Sequence, residues 1–259
     1  MKKLILFLFL FISYLSYSQS YIEVYNGDLP IIVTCSHGGS IRTTRIDNRN
    51  CEIYECNSDL YTNDIGFKIR KYLDNTCFFV LNNLHRVELD PNRNVSEACN
   101  DADCETYYDM FHYEIENIIR LFTNQPILIL DIHGQAHEHG FIELGYNIDR
   151  KDYYNNINHV ANSSVNNYYG KTIEEIVRGK YSLGYYYDRY YDVSPSPKNP
   201  IPPTPYFNGG YITEKYSKYK NVIVIQIEIP YSIRKSEQSR EEFSKITAKI
   251  IKSYYKKLK

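Results

Sequence analysis

Four short apolar runs, rich in Ile, Val and Leu, recur along the chain. They span residues 31–33, 78–81, 127–130 and 222–225. Their apolar character is continuous rather than alternating, which is typical of strands buried on both faces of a parallel sheet. The pattern therefore predicts four central strands that are covered by helices on both sides.

Segments with helical spacing lie between and after these runs. Residues 64–73 and 107–122 each place apolar side chains on one face of a helix. Ser239 opens a capping-box pattern, which predicts a last helix from Ser239 to the end of the chain. The alternation predicts an α/β fold, a three-layer sandwich in which helices flank a mixed, mostly parallel sheet.

The stretch from Asp192 to Gly210 interrupts this alternation with six prolines, followed by Asn208, Gly209 and Gly210. Proline at this density excludes regular helix and central strand, so we predict a long surface loop. The loop is either a stiff connector or a wall of the active site. In the second case we expect Gly209 and Gly210 to contact the substrate.

The N-terminus has the order of charged, apolar and small residues that is typical of a secretory signal peptide. Lys2 and Lys3 precede an apolar run from Leu4 to Leu15 and the small-residue pattern at 16–18. The run is shorter than the ~20 residues that span a bilayer, although an uncleaved anchor is the alternative. We therefore divide the chain into a signal peptide, 1–18, and a single domain, 19–259, and expect it to be secreted or periplasmic.

The net charge of −1 excludes a broad basic surface. Nucleic acid and acidic membranes are therefore not expected partners, and a small molecule or a peptide is the expected substrate.

Six cysteines in an exported chain indicate disulfide bonds. The close pairs Cys51/Cys56 and Cys99/Cys104 would each close a small loop, which leaves Cys35 to pair with Cys77. Buried free thiols are the alternative. The spacing lacks the paired CxxC pattern of a structural zinc site.

Polar residues follow each of the four predicted strands. They are His37 after the first strand, Arg86, Asn92 and Arg93 after the second, His133 after the third, and Glu228 at the end of the fourth. The carboxyl ends of parallel strands face a common crevice in an open α/β sheet, and ligands bind there. We therefore expect these side chains to form one site.

His37 and His133 are each followed by glycine, which lets a ligand approach the backbone. Neutral imidazoles favour zinc, and a catalytic zinc takes three protein ligands and a water. We predict Asp59 as the third ligand, although a carboxylate at that position also suits the start of a helix. Glu55 and Asp131 are the alternatives.

The remaining residues of the crevice suggest catalytic and binding roles. An ionised carboxylate on an apolar strand is costly without a partner. Near a zinc-bound water, Glu228 is predicted to be the general base that takes a proton and returns it to the leaving amine. A salt bridge with a nearby arginine is its alternative role. Asn92 and Arg93 suit the binding of a substrate carboxylate, and Arg86 suits polarisation of the scissile carbonyl. Either arginine could instead neutralise Asp90 or Glu228.

The other histidines carry weaker signals. We place His137 beside the substrate, with an exposed loop histidine as the alternative for it and for His139. His85, His112 and His159 have no companion pattern and are interpreted as structural. The chain has no HExxH helix, GxSxG elbow or phosphate-binding glycine loop, which excludes several common hydrolase and nucleotide-binding classes.

Together these motifs resemble the N-formylglutamate amidohydrolase family. The resemblance covers residues 30–235 and rests on Ser-His37-Gly-Gly, Ser58-Asp59, Leu84-His85-Arg86, Asp90-Pro91-Asn92-Arg93, Asp131-Ile132-His133-Gly134, Glu143-Leu144-Gly145-Tyr146 and Gln226-Ile227-Glu228-Ile229-Pro230.

The resemblance implies the fold of zinc carboxypeptidases, aspartoacylase-type aminoacylases and N-acetylmuramoyl-alanine amidases. It implies that His37, Asp59 and His133 hold zinc and that Glu228 is the base. One departure is that Ser40 stands where carboxypeptidases have their HxxE glutamate. Another is location, because N-formylglutamate hydrolysis is cytoplasmic and this chain is expected to be exported.

The expected activity is zinc-dependent hydrolysis of an amide in an N-acyl amino acid or peptide that carries a carboxylate. A cell-wall peptide amidase or carboxypeptidase is one alternative. The other is a non-catalytic secreted protein that binds a glycan or peptide through a surface rich in the chain's 28 tyrosines.

Overall fold

The structure is a computed structural model that describes residues 20–155, 157, 160–168 and 170–258, with only the backbone of Tyr54. The predicted signal peptide and His159 lie outside these residues, so the structure tests neither prediction.

Seven strands form one sheet within the described residues. They are β1 (Ile22–Tyr25), β2 (Ile31–Cys35), β3 (Phe78–Asn82), β4 (Ile127–Gln135), β5 (Ile142–Gly145), β6 (Val193–Ser194) and β7 (Val222–Pro230). Their order is β1-β3-β2-β4-β7-β5-β6. The four predicted strands are the central parallel ones, whereas β1 and β5 run antiparallel to β3 and β7. The mixed, mostly parallel sheet is confirmed, and β1, β5 and β6 are additional strands.

Helices connect these strands. The α-helices of the described ranges are α1 (Ile53–Cys56), α2 (Thr62–Tyr72), α3 (Val95–Ala98), α4 (Ala102–Leu121), α5 (Ile173–Val177), α6 (Leu183–Tyr187), α7 (Tyr211–Tyr216), α8 (Tyr231–Arg234) and α9 (Glu237–Leu258). Two 3₁₀ helices span Arg150–Tyr154 and Ser164–Asn167. None of the helices in this part of the chain is long and apolar enough to cross a membrane.

The last helix begins two residues before the predicted start. Its first turn is capped by Ser236, whose hydroxyl accepts the backbone N–H of Ser239. The Ser239 hydroxyl instead donates to the carbonyl of Ile233 at 2.7 Å, so Ser239 cannot act as the predicted cap. The cap shifted because Ser236 and Ser239 both suit an N-cap, and only tertiary contacts distinguish them.

Two hydrophobic cores lie on opposite faces of the sheet. Ile31 and Val33 of β2 face the core that includes residues of α2, α6 and α9, whereas Ile32 faces the core that includes residues of α4 and α7. Every residue of β2 is buried, because successive side chains enter different cores. This explains the continuous apolar runs and confirms the three-layer sandwich.

Two of the three predicted cysteine pairs are present as disulfide bonds. Cys51–Cys56 and Cys99–Cys104 are disulfide-bonded, but Cys35 and Cys77 are buried free thiols, so their predicted pairing is wrong. In the register of β2 and β3, Cys35 lies beside Leu81, four residues from Cys77. Four residues of a strand span ~13 Å. That distance is too long for a disulfide bond.

The proline-rich stretch is a loop except at Val193–Ser194, which form the short edge strand β6 beside β5. The prediction excluded a regular helix and a central strand, but it did not exclude an edge strand. Proline is compatible with a sheet edge because no neighbouring strand there requires the backbone N–H that proline lacks. The later part of the loop returns across the carboxyl end of the sheet, where Phe207, Gly209 and Gly210 line a cavity.

Candidate metal centre and catalytic cleft

A cavity of about 580 Å³ lies where β2, β4 and β7 end. All ten residues predicted for the site line it: His37, Asp59, Arg86, Asn92, Arg93, His133, His137, Gly209, Gly210 and Glu228. The sheet thus gathers residues that are up to 191 positions apart (228 − 37) into one cleft. Gln226, Tyr211 and Glu214 also line the cavity, and the sequence analysis did not identify them.

Three atoms converge at the base of this cavity. Nδ1 of His37 lies 3.4 Å from Oδ2 of Asp59, and Nδ1 of His133 lies 3.2 Å from the same oxygen. Both histidines are buried, and the Asp59 side chain is 10% exposed. Asp59 is positioned by two backbone bonds, since its N–H donates to the carbonyl of His37 and its Oδ2 accepts the N–H of Gly134.

The far nitrogen of each imidazole meets a buried carboxylate. Nε2 of His37 lies 2.6 Å from Oδ1 of Asp90, and Nε2 of His133 lies 2.7 Å from Oδ2 of Asp131. Each carboxylate accepts the Nε2 proton, so Nδ1 is the nitrogen of each ring that is directed towards Asp59. Carboxylates behind metal-ligating histidines have this role in metal sites.

The two alternative acidic ligands lie elsewhere. Asp131 is behind His133 and also accepts the hydroxyl of Thr34 at 2.7 Å, so it orients the histidine rather than joining the cluster. Glu55 is more than a third exposed, and its nearest charged partner is Arg93 at 3.5 Å. Asp59 is the acidic residue that the structure places between the two histidines.

The electrostatics of the cluster favour a cation. Nδ1 of His37 is buried and makes no hydrogen bond. Burial lowers the pKa of His133, but Asp131 and Asp59 outweigh this effect and raise it well above its usual value. Burial acts to raise the pKa of Asp59, and the two histidines reverse this and lower it. The raised pKa of His133 means that the cluster holds a proton when no cation is bound. Two imidazole nitrogens and one carboxylate oxygen fit zinc or a similar divalent ion, which would take the place of that proton.

Glu228 lies directly beside this cluster, because β7 pairs with β4 in a register that places it next to His133. Its Oε1 accepts the side-chain N–H of Gln226 at 2.7 Å, while its Oε2 is buried without a hydrogen-bond partner. Burial raises the pKa of Glu228 to about 8, opposed by His133 and reinforced by Asp59 and Glu143. No ion pair joins Glu228 to an arginine in the described ranges, so the alternative role as a salt-bridge partner is not observed.

The two arginines of the cleft differ in solvent exposure and in the length of their ion pairs. Nε of Arg86 donates to Oδ2 of Asp90 at 2.9 Å, and its side chain is 14% exposed. Arg93 is 39% exposed and lies no closer than 3.5 Å to Glu55 and 3.9 Å to Asp90. Arg86 therefore neutralises Asp90, as the alternative interpretation proposed, and Arg93 is the more exposed and less closely paired of the two.

Asn92 is held by the first turn of α7 and by the glycine that precedes it. Its Oδ1 accepts the N–H of Ile212 at 2.9 Å, and a Cβ on Gly210 would lie 2.3 Å from its Nδ2. Gly209 has a φ of +132°, a conformation that favours glycine. The two glycines thus allow the loop to approach Asn92 closely.

The remaining histidines separate into structural residues and a second cluster. His112 is buried between the hydroxyl of Tyr216 and the carbonyl of Pro91, and Nδ1 of His85 accepts the N–H of Val87, which agrees with their structural interpretation. His137 lines the cleft and lies 2.6 Å from the buried carboxylate of Glu143.

Comparison with known proteins shows what this fold is similar to. A crystal structure of N-formylglutamate amidohydrolase from Ralstonia eutropha JMP134 matches with a TM-score of 0.58 at 10% identity, covering 92% of this chain and 98% of that one. A gene product of Agrobacterium tumefaciens matches with a TM-score of 0.56 at 12% identity, covering 91% and 95%. No family model and no curated protein sequence matches the chain.

The likeness establishes the class of architecture, an α/β sandwich. The particular fold within that class is the one found in the Ralstonia eutropha amidohydrolase, as the sequence motifs implied.

Proposed function

We propose that the protein is a zinc-dependent amidohydrolase that cleaves the amide bond of an N-acyl amino acid or peptide carrying a free carboxylate. One observation carries the proposal. Glu228, whose Oε2 has no partner, lies on the strand next to His133, and the imidazoles of His133 and His37 converge with the carboxylate of Asp59. Zinc, when bound, would activate a water molecule and polarise the scissile carbonyl.

The protein's own residues then have distinct roles. His37, Asp59 and His133 hold the ion, and Asp90 and Asp131 fix the ring nitrogens that face it. Glu228 accepts a proton from the attacking water. Its raised pKa, about 8, lies near neutral pH, where a general base is most effective. The positive charge of the ion would lower this pKa and increase the ionised fraction.

The cleft also supports the substrate class. Its volume of about 580 Å³ is within the usual range for small-molecule sites. Arg93 lines the cleft with a side chain that is 39% exposed, and its guanidinium suits a carboxylate. The two disulfide bonds support work outside the cytoplasm, where such bonds persist. An extracellular N-acyl amino acid or peptide is therefore the proposed substrate.

The test is hydrolysis of N-acyl amino acids and peptides by the zinc-loaded protein and by Glu228→Gln. The amide keeps the shape of the side chain but cannot accept the proton. We expect kcat to fall by ~10²–10⁴-fold with zinc retained. Glu214→Gln changes another glutamate that lines the cleft and is the matched control, with activity expected to persist. Undiminished turnover by Glu228→Gln would contradict the proposal.

A further inference from the structure

A second group of chemically active residues lies on the opposite wall of the cleft. His137 follows β4 and lines the cavity, while Glu143 lies behind it in β5, fully buried. In the registers of β4, β7 and β5, Glu228 lies between His133 and Glu143. Adjacent strands are ~4.8 Å apart, so Glu143 is about 10 Å across the sheet from His133. A substrate bound over Glu228 would therefore lie between the candidate metal centre and His137.

Three contacts fix the orientation of His137. Its Nδ1 lies 2.6 Å from Oε1 of Glu143, and its backbone N–H donates to the side chain of Gln135. Oε2 of Glu143 accepts the N–H of Phe207 at 2.7 Å, and the Phe207 ring packs on the imidazole with 4.6 Å between centroids. Glu143 therefore holds the proton of Nδ1, and Nε2 is the nitrogen left for a ligand.

His139 lies near enough to the pair to raise the question of a second metal site. Its Nε2 is 3.2 Å from Oε1 of Glu143, and the three residues could surround an ion. However, Nδ1 of His139 accepts the N–H of Phe141 at 3.1 Å, so the proton of the neutral ring is on Nε2. That proton points towards Glu143 and the carbonyl of Pro205, which lies at 3.0 Å. A metal at Nε2 would require His139 to lose its one ring proton or the bond from Phe141, so we interpret this group as a hydrogen-bond network.

We propose that His137 is the catalytic acid that protonates the leaving nitrogen, and that Glu143 is its positioning residue. The inference rests on the proposed function. It keeps Glu228 as the base but assigns the proton for the leaving amine to His137 on the opposite wall, in place of the return from Glu228 that the sequence predicted. A carboxylate that fixes one ring nitrogen while the other faces the reacting atoms is the arrangement by which histidine acts as an acid or base.

The protons balance over the proposed hydrolysis. Glu228 takes one proton as the water oxygen attacks the carbonyl carbon. As the C–N bond breaks and its electron pair goes to nitrogen, Nε2 of the charged His137 gives that nitrogen a proton and becomes neutral. The products are a carboxylic acid and an amine. The proton left on Glu228 then passes through solvent to His137, which restores both groups.

The experiment compares two substrates with the wild type and His137→Asn. One substrate is an N-acyl glycine, and the other is the thioester in which sulfur replaces the amide nitrogen. A thiolate leaves without protonation because its conjugate acid has a pKa near ~8.5, whereas an amine needs a proton. Asparagine can still donate to Glu143 but lacks Nε2. We expect kcat on the amide to fall by ~10²–10⁴-fold and kcat on the thioester to fall much less.

His139→Asn is the matched control, since it changes the same residue type beside the same carboxylate oxygen and should keep the amide-to-thioester ratio. An equal loss on both substrates in His137→Asn would overturn this inference alone. Failure of the wild type to hydrolyse either substrate would overturn the proposed function with it. Two metal ions per chain, falling to one in His137→Asn, would show a second metal site instead of an acid.

Discussion

His37 and His133 each direct one ring nitrogen at Asp59 and the other at a buried carboxylate. Because the carboxylates accept the Nε2 protons, Nδ1 is the nitrogen that each ring presents to the cleft. Asp90 and Asp131 therefore preorganise the candidate metal centre without touching the ion.

The first prediction at this scale concerns Asp90. Asp90→Asn keeps the shape of the side chain but removes the charge behind His37, so zinc affinity should fall by ~10–100-fold. Competition with a chromophoric chelator measures this. Burial acts to raise the pKa of Asp90, but His37 and Arg86 reverse it and lower the pKa well below its usual range.

This shift also predicts a pH dependence. A carboxylate whose pKa is lower in the folded protein contributes stability above its unfolded pKa of ~3.9, and loses that contribution as the pH falls through the folded value. The difference in unfolding free energy between wild type and Asp90→Asn should therefore be largest near neutral pH and decrease in acid. Equal zinc affinity and a pH-independent difference would contradict the role given to Asp90.

The second prediction concerns Arg93, the more exposed arginine of the cleft. Its loss removes a charge-assisted hydrogen bond to the substrate carboxylate, so Arg93→Ala should raise KM by about 10- to 100-fold. The control is a matched substrate whose carboxylate is replaced by an amide. Its KM should change much less in Arg93→Ala. A similar change for both substrates would exclude a carboxylate at Arg93.

Sequence patterns identified these residues where a polar side chain ends an apolar run, as at His37 and Glu228. They favoured Asp59 but left Asp131 as an alternative, because that choice depends on which side of His133 each carboxylate approaches. The position of Glu143 behind His137 depends on strand β5, whose pairing with β7 is set by tertiary structure.

At the scale of elements, the loop that carries Asp59 is held by the last two helices. Arg234 of α8 donates to the carbonyls of Ile229, Leu60 and Gln135, which joins β7, the Asp59 loop and β4. Gly134 permits this, because a Cβ there would lie 2.3 Å from Cζ of Arg234. One guanidinium therefore fixes the relative positions of the strand that carries His133 and the loop that carries Asp59.

The prediction at this scale is that Arg234→Met destabilises both the fold and the site. Methionine fills a similar length but leaves three carbonyls without their donor, so the free energy of unfolding should fall by about 2–4 kcal/mol. Zinc affinity should fall as well. Arg189→Met removes an exposed arginine and should change stability by less than about 0.5 kcal/mol, which denaturant melts can resolve. Equal stability of the two variants would contradict this account.

Elements were predictable where one property dominates over several residues. Each of the four central strands contains a continuous apolar run because both faces of the sheet are buried there. β5 was not predicted because Ile142–Gly145 is short and contains the buried Glu143. A charged residue interrupts the apolar pattern that identifies a buried strand. β6 has two residues beside prolines, and its strand geometry depends on pairing with β5.

At the scale of the molecule, the sandwich separates stability from chemistry. The two cores fill the faces of the sheet, while the titratable residues cluster at its carboxyl edge, where four parallel strands end. The fold is shared with an amidohydrolase at 10% identity, so the architecture persists where few residues do. The function of this chain therefore has to be tested on its own site.

The most direct test of the candidate metal centre is zinc content per chain after exhaustive dialysis, measured on wild type, His37→Ala, His133→Ala and His85→Ala. His85 accepts a local backbone N–H and serves as the control. We predict one tightly held zinc ion in the wild type and in His85→Ala, and its loss from the other two variants. Stoichiometric zinc in both His37→Ala and His133→Ala would contradict the central claim.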